Sequence, residues 1–211
     1  MNAVFARTLT VNAITFSRVP LIAGFCVAAV CGELTRSYAS EVVACALMLF
    51  AGLSDLYDGM LARKWNVVSN FGKMADPLMD KVFFIVTFPT LLWLVVEQGE
   101  SVAHGLVLLA FTILWILRDL WVTFMRSVAS AYGADVAAMW TGKVRTALSF
   151  PAAGLVYVHL AFHRLAPAGA QSGLLCAVYA LEISLMLLNA YSFVVYTKAY
   201  APYLRRALAR T

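Results

Sequence analysis

Val42–Arg63, VVACALMLFAGLSDLYDGMLAR, runs as an almost unbroken apolar segment into two aspartates, Asp55 and Asp58, and closes on Gly59, Ala62 and Arg63. The next segment mirrors it: Gly72-Lys73-Met74-Ala75-Asp76-Pro77-Leu78-Met79-Asp80 leads into the apolar run Val82–Val96. Both runs are apolar enough to sit in hydrocarbon. A carboxylate at membrane depth is costly unless it is paired, wetted or metal-bound, so four of them between positions 55 and 80 mark a functional site on spanning helices.

The spacing points the same way. Asp55 and Asp58 stand three apart, and Asp76 and Asp80 four apart, so on helices each pair shares a face and the two pairs can converge. Hard oxygen ligands suit Mg²⁺ or Mn²⁺. Four carboxylates exceed what one Mg²⁺ usually takes from protein, which predicts a two-metal site about 4 Å across, with Asp55, Asp58, Asp76 and Asp80 as ligands. Such sites serve phosphoryl or phosphatidyl transfer. Gly59 and Ala62 are small and three apart, which lets a partner helix or a nucleotide approach the backbone, and Arg63 adds a cation. An interfacial salt-bridge network is the competing reading, but it has no need of glycines at fixed offsets.

The whole chain has a membrane composition, with 63% hydrophobic and 13% charged residues among 211. Apolar runs of about 20 residues predict an all-α integral membrane protein of six spans, near 13–32, 38–62, 72–97, 103–128, 143–163 and 173–198. The charges opening the fifth span, Lys143 and Arg145, should face the bundle interior or the interface. Pro77, Pro89 and Pro151 fall inside spans and can kink them, and Pro77 could equally mark a late helix start. Arg7, Arg63, Lys64, Lys143, Arg145, Lys198, Arg205, Arg206 and Arg210 fall on one side, against Arg36 and Arg164 on the other. The positive-inside rule then puts both termini and the aspartates at the cytoplasm. The first helix reads as retained, because Arg18 lies within its apolar run and further spans follow. No repeat or long linker divides the chain, so residues 1–211 read as a single domain.

The formal net charge of +5 fits anionic lipid head groups or phosphate substrates. Nucleic-acid binding is not expected, since no polar domain remains to present a basic face. Cys26, Cys31, Cys45 and Cys176 lie in apolar runs without C-x-x-C spacing and read as small core or lipid-facing residues, not as disulfides or metal ligands. Arg118, Asp119 and Arg126 in the fourth span, followed by Gly142-Lys143-Val144-Arg145-Thr146, form the second informative region. Arg118 and Arg126 share a helix face. With Lys143 and Arg145 they ask for a phosphate, the alternative being loop charge that serves topology. Thr10, Asn12, Thr15 and Arg18 open the first span, either as a cap and a snorkelling arginine or as the wall of a nucleotide pocket.

The pattern Asp55-x2-Asp58-Gly59-x2-Ala62-Arg63-x8-Gly72-x3-Asp76-x3-Asp80 resembles the signature of the CDP-alcohol phosphotransferase family of membrane enzymes, with all eight positions at the family's spacing. The run from Ala62 to Lys81, with Arg118-Asp119 and Gly142-Lys143-x-Arg145-Thr146, is similar to the bacterial phosphatidylglycerophosphate synthases within it. Ala75, Met79 and Arg145 depart from the residues expected there. The resemblance implies transfer of a phosphatidyl group from CDP-diacylglycerol to glycerol 3-phosphate, with release of CMP and two Mg²⁺ or Mn²⁺ per site. It implies that Gly59, Ala62, Arg63 and Gly72 contact the CDP moiety and that Asp80 serves as general base as well as ligand. It puts the acceptor phosphate on Arg118, Arg126, Lys143 and Arg145. It further implies a homodimer in the bacterial inner membrane. Alternatives are another acceptor within the family, as in CMP-forming cardiolipin synthases or phosphatidylinositol-phosphate synthases, and a divalent-cation transporter.

His104, His159 and His163 lack partner spacing and read as structural. Glu182, mid-span and expensive there, calls for an inward-facing cation, a dimer contact or a proton. Trp93, Trp115, Trp121, Trp140, Tyr196 and Tyr200 read as an interfacial aromatic belt. The basic tail Arg205-Arg206-Ala207-Leu208-Ala209-Arg210 reads as a contact with anionic membrane surface.

Overall fold

Lipid offers the backbone no hydrogen-bond partner, so an apolar chain of this kind satisfies its own N–H and C=O groups as helices. The computed structural model, which describes residues 3–67, 69–99, 101–134, 139–162 and 168–209, contains α1 (Ala3–Thr35), α2 (Tyr38–Lys64), α3 (Asn70–Glu97), α4 (Val102–Ala131), α5 (Trp140–Phe162) and α6 (Ala168–Leu208). No strand occurs among the described residues. His163, Arg164 and Arg210 lie outside them.

Among the described residues five helices are long and apolar enough to cross a membrane, namely α1, α2, α3, α4 and α6, and the protein is a multi-pass membrane protein. α5 is not among them. Its first turns carry Thr141, Lys143, Arg145 and Thr146, which lower its mean hydropathy. Several helices also outrun their apolar segments. α1 starts at Ala3, where Thr8 and Thr10 donate their hydroxyls back to Val4 O and Ala6 O and keep the helix closed through polar residues. α6 continues to Leu208, through Arg205 and Arg206. Hydropathy marks what lipid tolerates, whereas helical hydrogen bonding stops only at a breaker or a cap. Pro77 does not begin a helix: α3 starts at Asn70, capped by Ser69, whose Oγ accepts from Gly72 N at 2.9 Å.

The chain divides into two compact units, Met1–Glu100 with Ala153–Ala166, and Ser101–Ala152 with Pro167–Thr211. In the first, α1 packs along α2 and α3. Between Val11 and Ala29 the buried residues of α1 are Val11, Thr15, Arg18, Ile22, Phe25 and Ala29, alternating four and three apart, which is one helical stripe. Phe83, Phe84, Phe88, Leu91 and Leu94 of α3 fill the facing core, and Phe25 meets Tyr157 edge to face at 5.2 Å. Two residues connect α1 to α2. Arg36 takes φ 55°, and Gly32 lets the chains close, since a Cβ there would lie 3.3 Å from Glu41 N.

In the second unit α4 packs against α6. Its buried stripe, His104, Leu108, Phe111, Trp115, Arg118, Val122, Met125 and Ala129, has the same alternation, and it faces Val178, Glu182, Leu185, Asn189, Ser192, Tyr196 and Tyr200 of α6. Polar groups on these stripes find partners across the helix pair. Asn189 Nδ2 donates to Leu114 O at 2.9 Å, Trp121 Nε1 donates to Thr197 Oγ1 at 2.8 Å, and His104 Nε2 stands 3.5 Å from Glu182 Oε1. Glu182 therefore faces a histidine.

The aromatic-belt reading is corrected for three residues. Trp115, Tyr196 and Tyr200 are buried within the unit because they fall on the core stripe. Trp140, at 71% exposure, and Trp93 do present surface. The four cysteines are free, as expected.

Candidate active site

The stripe of α1 puts Arg18 inside the first unit, at 0% exposure, where a snorkelling side chain could not be. Its Nη2 lies 2.7 Å from Asp55 Oδ1 and 3.0 Å from Asp58 Oδ2, and its Nη1 lies 3.4 Å from Asp80 Oδ1. One guanidinium thus gathers carboxylates from α2 and α3. One helical turn before it, Thr15 donates its hydroxyl to Asp58 Oδ2 at 2.8 Å, so Asp58 accepts from two α1 groups through the same oxygen. Charge-assisted contacts of this kind hold a buried carboxylate in place where an unpaired one would be expelled.

A cleft opens beside this cluster. Val11, Asn12 and Thr15 of α1 form one wall, Asp58, Gly59 and Ala62 of α2 another, and Val67, Ser69, Gly72 and Asp76 complete it. Gly59 leaves the wall open: the nearest atom to a Cβ built there is Arg63 Nη2, at 3.9 Å. Gly72 is closely packed, since a Cβ would meet Ser69 Oγ at 3.2 Å and Asn12 Oδ1 at 3.6 Å. The turn that brings α3 back onto α2 passes through Asn66 at φ 54°, and Val67 N donates to Ala62 O at 3.0 Å. Asp76 is exposed on the cleft, within electrostatic reach of Asp55, Asp58 and Arg18.

Gly59, Ala62 and Gly72 of the expected nucleotide set line the cleft, and Arg63 stands exposed beside Gly59. Asn12 and Thr15 line the cleft, while Thr10 is exposed and donates to Ala6 O within its own helix. Arg18 is the residue that sequence reasoning placed too loosely. The signal lay in its register: it stands seven residues after Val11 and before Phe25, on the apolar stripe.

The donors suit a hard divalent cation. Asp55, Asp58 and Asp80 all reach the Arg18 guanidinium, Asp76 stands near, and one buried guanidinium cannot neutralise four carboxylates. As the side chains stand, no three acidic, histidine or cysteine groups among the described residues are close enough together to hold an ion, and Asp55, Asp58 and Asp80 instead contact the Arg18 guanidinium.

The second unit carries the basic cluster. Arg118 is buried with its guanidinium 4.8 Å from the ring centre of Tyr196, hydrogen-bonded to Ser192 Oγ, and 3.6 Å from Asp119 Oδ1. Arg145 Nη2 lies 3.3 Å from the same Asp119 oxygen, and its guanidinium covers Trp115 at 4.2 Å. Asp119 is thus the shared partner of two of the four expected phosphate-binding residues. Arg126 is half-buried and close enough to Arg118 to repel it, and Lys143 is exposed. Tyr196 fastens the α5 end, with its Oη accepting from Met139 N at 2.8 Å.

Comparison with known proteins bears on both clusters. A family description, CDP-alcohol phosphatidyltransferase, matches residues 8–195. The chain is similar to proteins named CDP-diacylglycerol–glycerol-3-phosphate 3-phosphatidyltransferase from three bacteria. It is 37% identical to that of Mycoplasma genitalium over 114 residues, covering 53% of this chain and 42% of the relative. It is 37% identical to that of Pectobacterium atrosepticum over 105 residues, covering 48% and 53%. It is 34% identical to that of Yersinia pestis strain Pestoides F over 109 residues, covering 51% and 56%. The matches therefore span about half the length of these relatives. With the family match running from the first helix into the last, the chain belongs to the CDP-alcohol phosphatidyltransferase family.

Proposed function

We propose that this protein transfers the phosphatidyl group of CDP-diacylglycerol to glycerol 3-phosphate, giving phosphatidylglycerophosphate and CMP, and that residues 1–211 act as one catalytic domain. The observation that carries this reading is the convergence of Asp55, Asp58 and Asp80 on a single cationic point beside a cleft walled by Gly59, Ala62, Gly72 and Asp76. The names of the relatives support the choice of donor and acceptor.

In this reading Asp55, Asp58, Asp76 and Asp80 would hold two Mg²⁺ or Mn²⁺ ions, in keeping with a family that is generally dependent on divalent metals. Ions bound there would supply positive charge against the diphosphate, which makes CMP a better leaving group. Gly59, Ala62 and Gly72 give the nucleotide room against the backbone, and Arg63 offers it a cation at the rim. Asp80 takes the proton of the acceptor's primary hydroxyl as that oxygen attacks the lipid-bearing phosphorus. The bond from that phosphorus to the CMP oxygen breaks, and the electron pair leaves with CMP. Positioning carries most of the rate, since a carboxylate is a weak base. Arg118, Arg126, Lys143 and Arg145 take the acceptor phosphate, with Asp119 and Tyr196 orienting the two buried arginines. We place the protein in the bacterial inner membrane as a homodimer, with the aspartates at the cytoplasmic face, where the basic loop residues lie.

The test is an acceptor panel on purified protein in micelles containing CDP-diacylglycerol with Mg²⁺ or Mn²⁺. Glycerol 3-phosphate is expected to release CMP and yield phosphatidylglycerophosphate, while phosphatidylglycerol, inositol phosphate and serine yield nothing. Incorporation of one of those in its place refutes the acceptor assignment, and absence of CMP release with every acceptor refutes the reaction.

A further inference from the structure

Resting on the metal reading of the aspartates, we propose that Arg18 is a built-in counter-cation that holds the ligand carboxylates together in the metal-free protein and is displaced from them when divalent ions bind. The guanidinium touches three of the four proposed ligands at 2.7, 3.0 and 3.4 Å, and it stands where those ligands converge. An ion coordinated by Asp55, Asp58 and Asp80 would draw on three carboxylates whose charge and orientation Arg18 already engages, so the two cations compete for them.

The competition has a physical purpose. Without Arg18, the partly exposed Asp55 and Asp80 and the buried Asp58 would repel one another across the α2–α3 contact, and the metal-free helices would splay or draw water. A neutral residue would leave that repulsion uncompensated. A lysine would place one compact charge where a planar fork with several donors can serve three acids. Thr15 fits the same scheme. Its hydroxyl stays on Asp58 Oδ2 whichever cation is present, so Asp58 keeps its orientation through the exchange. The arrangement yields a preformed site whose affinity for metal is set partly by the work of moving a guanidinium. In the displaced position that guanidinium is a free cation at the head of a cleft proposed to receive a diphosphate.

The experiment measures Mn²⁺ binding to the purified, substrate-free protein by the loss of the free-ion electron paramagnetic resonance signal, together with melting temperatures with and without Mn²⁺. Arg18→Gln is expected to bind Mn²⁺ at least about tenfold more tightly than wild type, because a resident unit charge is gone. It is also expected to melt lower than wild type without metal and to gain more in melting temperature on adding Mn²⁺. Arg18→Lys, which keeps the charge and so protects the fold should the neutral variant fail, is expected to bind Mn²⁺ more tightly than wild type by a smaller factor. If wild type binds Mn²⁺ and the variants that fold bind it equally or more weakly, Arg18 does not compete and the proposal is overturned. If wild type, the Arg18 variants and an Asp58→Asn control all fail to take up Mn²⁺, the metal reading itself falls.

Discussion

Gly142 lies in the first turns of α5, where helix propensity alone favours replacing it: Gly→Ala in a helix gains up to about 1 kcal/mol. The tertiary setting opposes this. A Cβ on Gly142 would sit 2.8 Å from Tyr196 Oη and 3.6 Å from Arg118 Nη2. To restore an ordinary contact of 3.4 Å or more, the phenol must retreat by about 0.6 Å. Tyr196 has little room to do so. It is 2% exposed, its oxygen accepts from Met139 N at 2.8 Å, and its ring underlies Arg118. Weakening that hydrogen bond costs about 1 kcal/mol, and overpacking the site costs about 1–3 kcal/mol. The net effect of Gly142→Ala is a destabilisation of about 1–3 kcal/mol, a fall of several degrees in melting temperature for a chain of this size. Arg118 moves with Tyr196, so the KM for glycerol 3-phosphate should rise more than kcat falls. The measurements are thermal unfolding in detergent and steady-state CMP release. Tyr196→Phe in the same background removes the obstructing oxygen and should recover part of the loss. Gly173→Ala, where nothing lies within 4 Å of the new Cβ, serves as control and should be neutral or stabilising. A Gly142→Ala protein that melts at or above the wild-type temperature with an unchanged KM refutes the account of the basic cluster.

Three further outcomes are expected. Thr15→Val keeps the shape of the side chain but removes the hydroxyl held by Asp58, a charge-assisted bond worth about 2 kcal/mol, so turnover should drop roughly tenfold or more and Thr15→Ser should restore most of it. Asp80→Asn should eliminate CMP release while the melting temperature stays within a few degrees of wild type; normal turnover in that variant would remove Asp80 as the base. Stripping divalent ions with EDTA should abolish turnover, with Mg²⁺ or Mn²⁺ bringing it back, and activity that survives chelation would exclude the two-metal reading.

Much of the architecture can be read along the chain because it depends on local patterns. Each of the six helices overlaps an apolar run, and their order follows from hydropathy. The ends did not follow. α1 and α6 extend well beyond their apolar cores, since polar residues such as Thr8 and Thr10 stay helical once the helix has begun. Trp115, Tyr196 and Tyr200 looked interfacial by position near span ends, yet a three-four stripe carries each into the core. Had the stripes of α1 and α4 been counted residue by residue, Arg18 and Arg118 would have stood out as cations among core positions.

The sequence by itself determined that this is a helical membrane protein with aspartate pairs three and four apart, because hydropathy and helical period act over a few neighbouring residues. Only the tertiary structure decided what those aspartates face. That Arg18 reaches Asp55, Asp58 and Asp80, that Asp119 serves both Arg118 and Arg145, and that Gly142 makes room for Tyr196 all depend on how helices distant in sequence rotate and pack against one another. Those rotations are set by the joint fit of many side chains across each helix pair, which no single stretch of residues encodes.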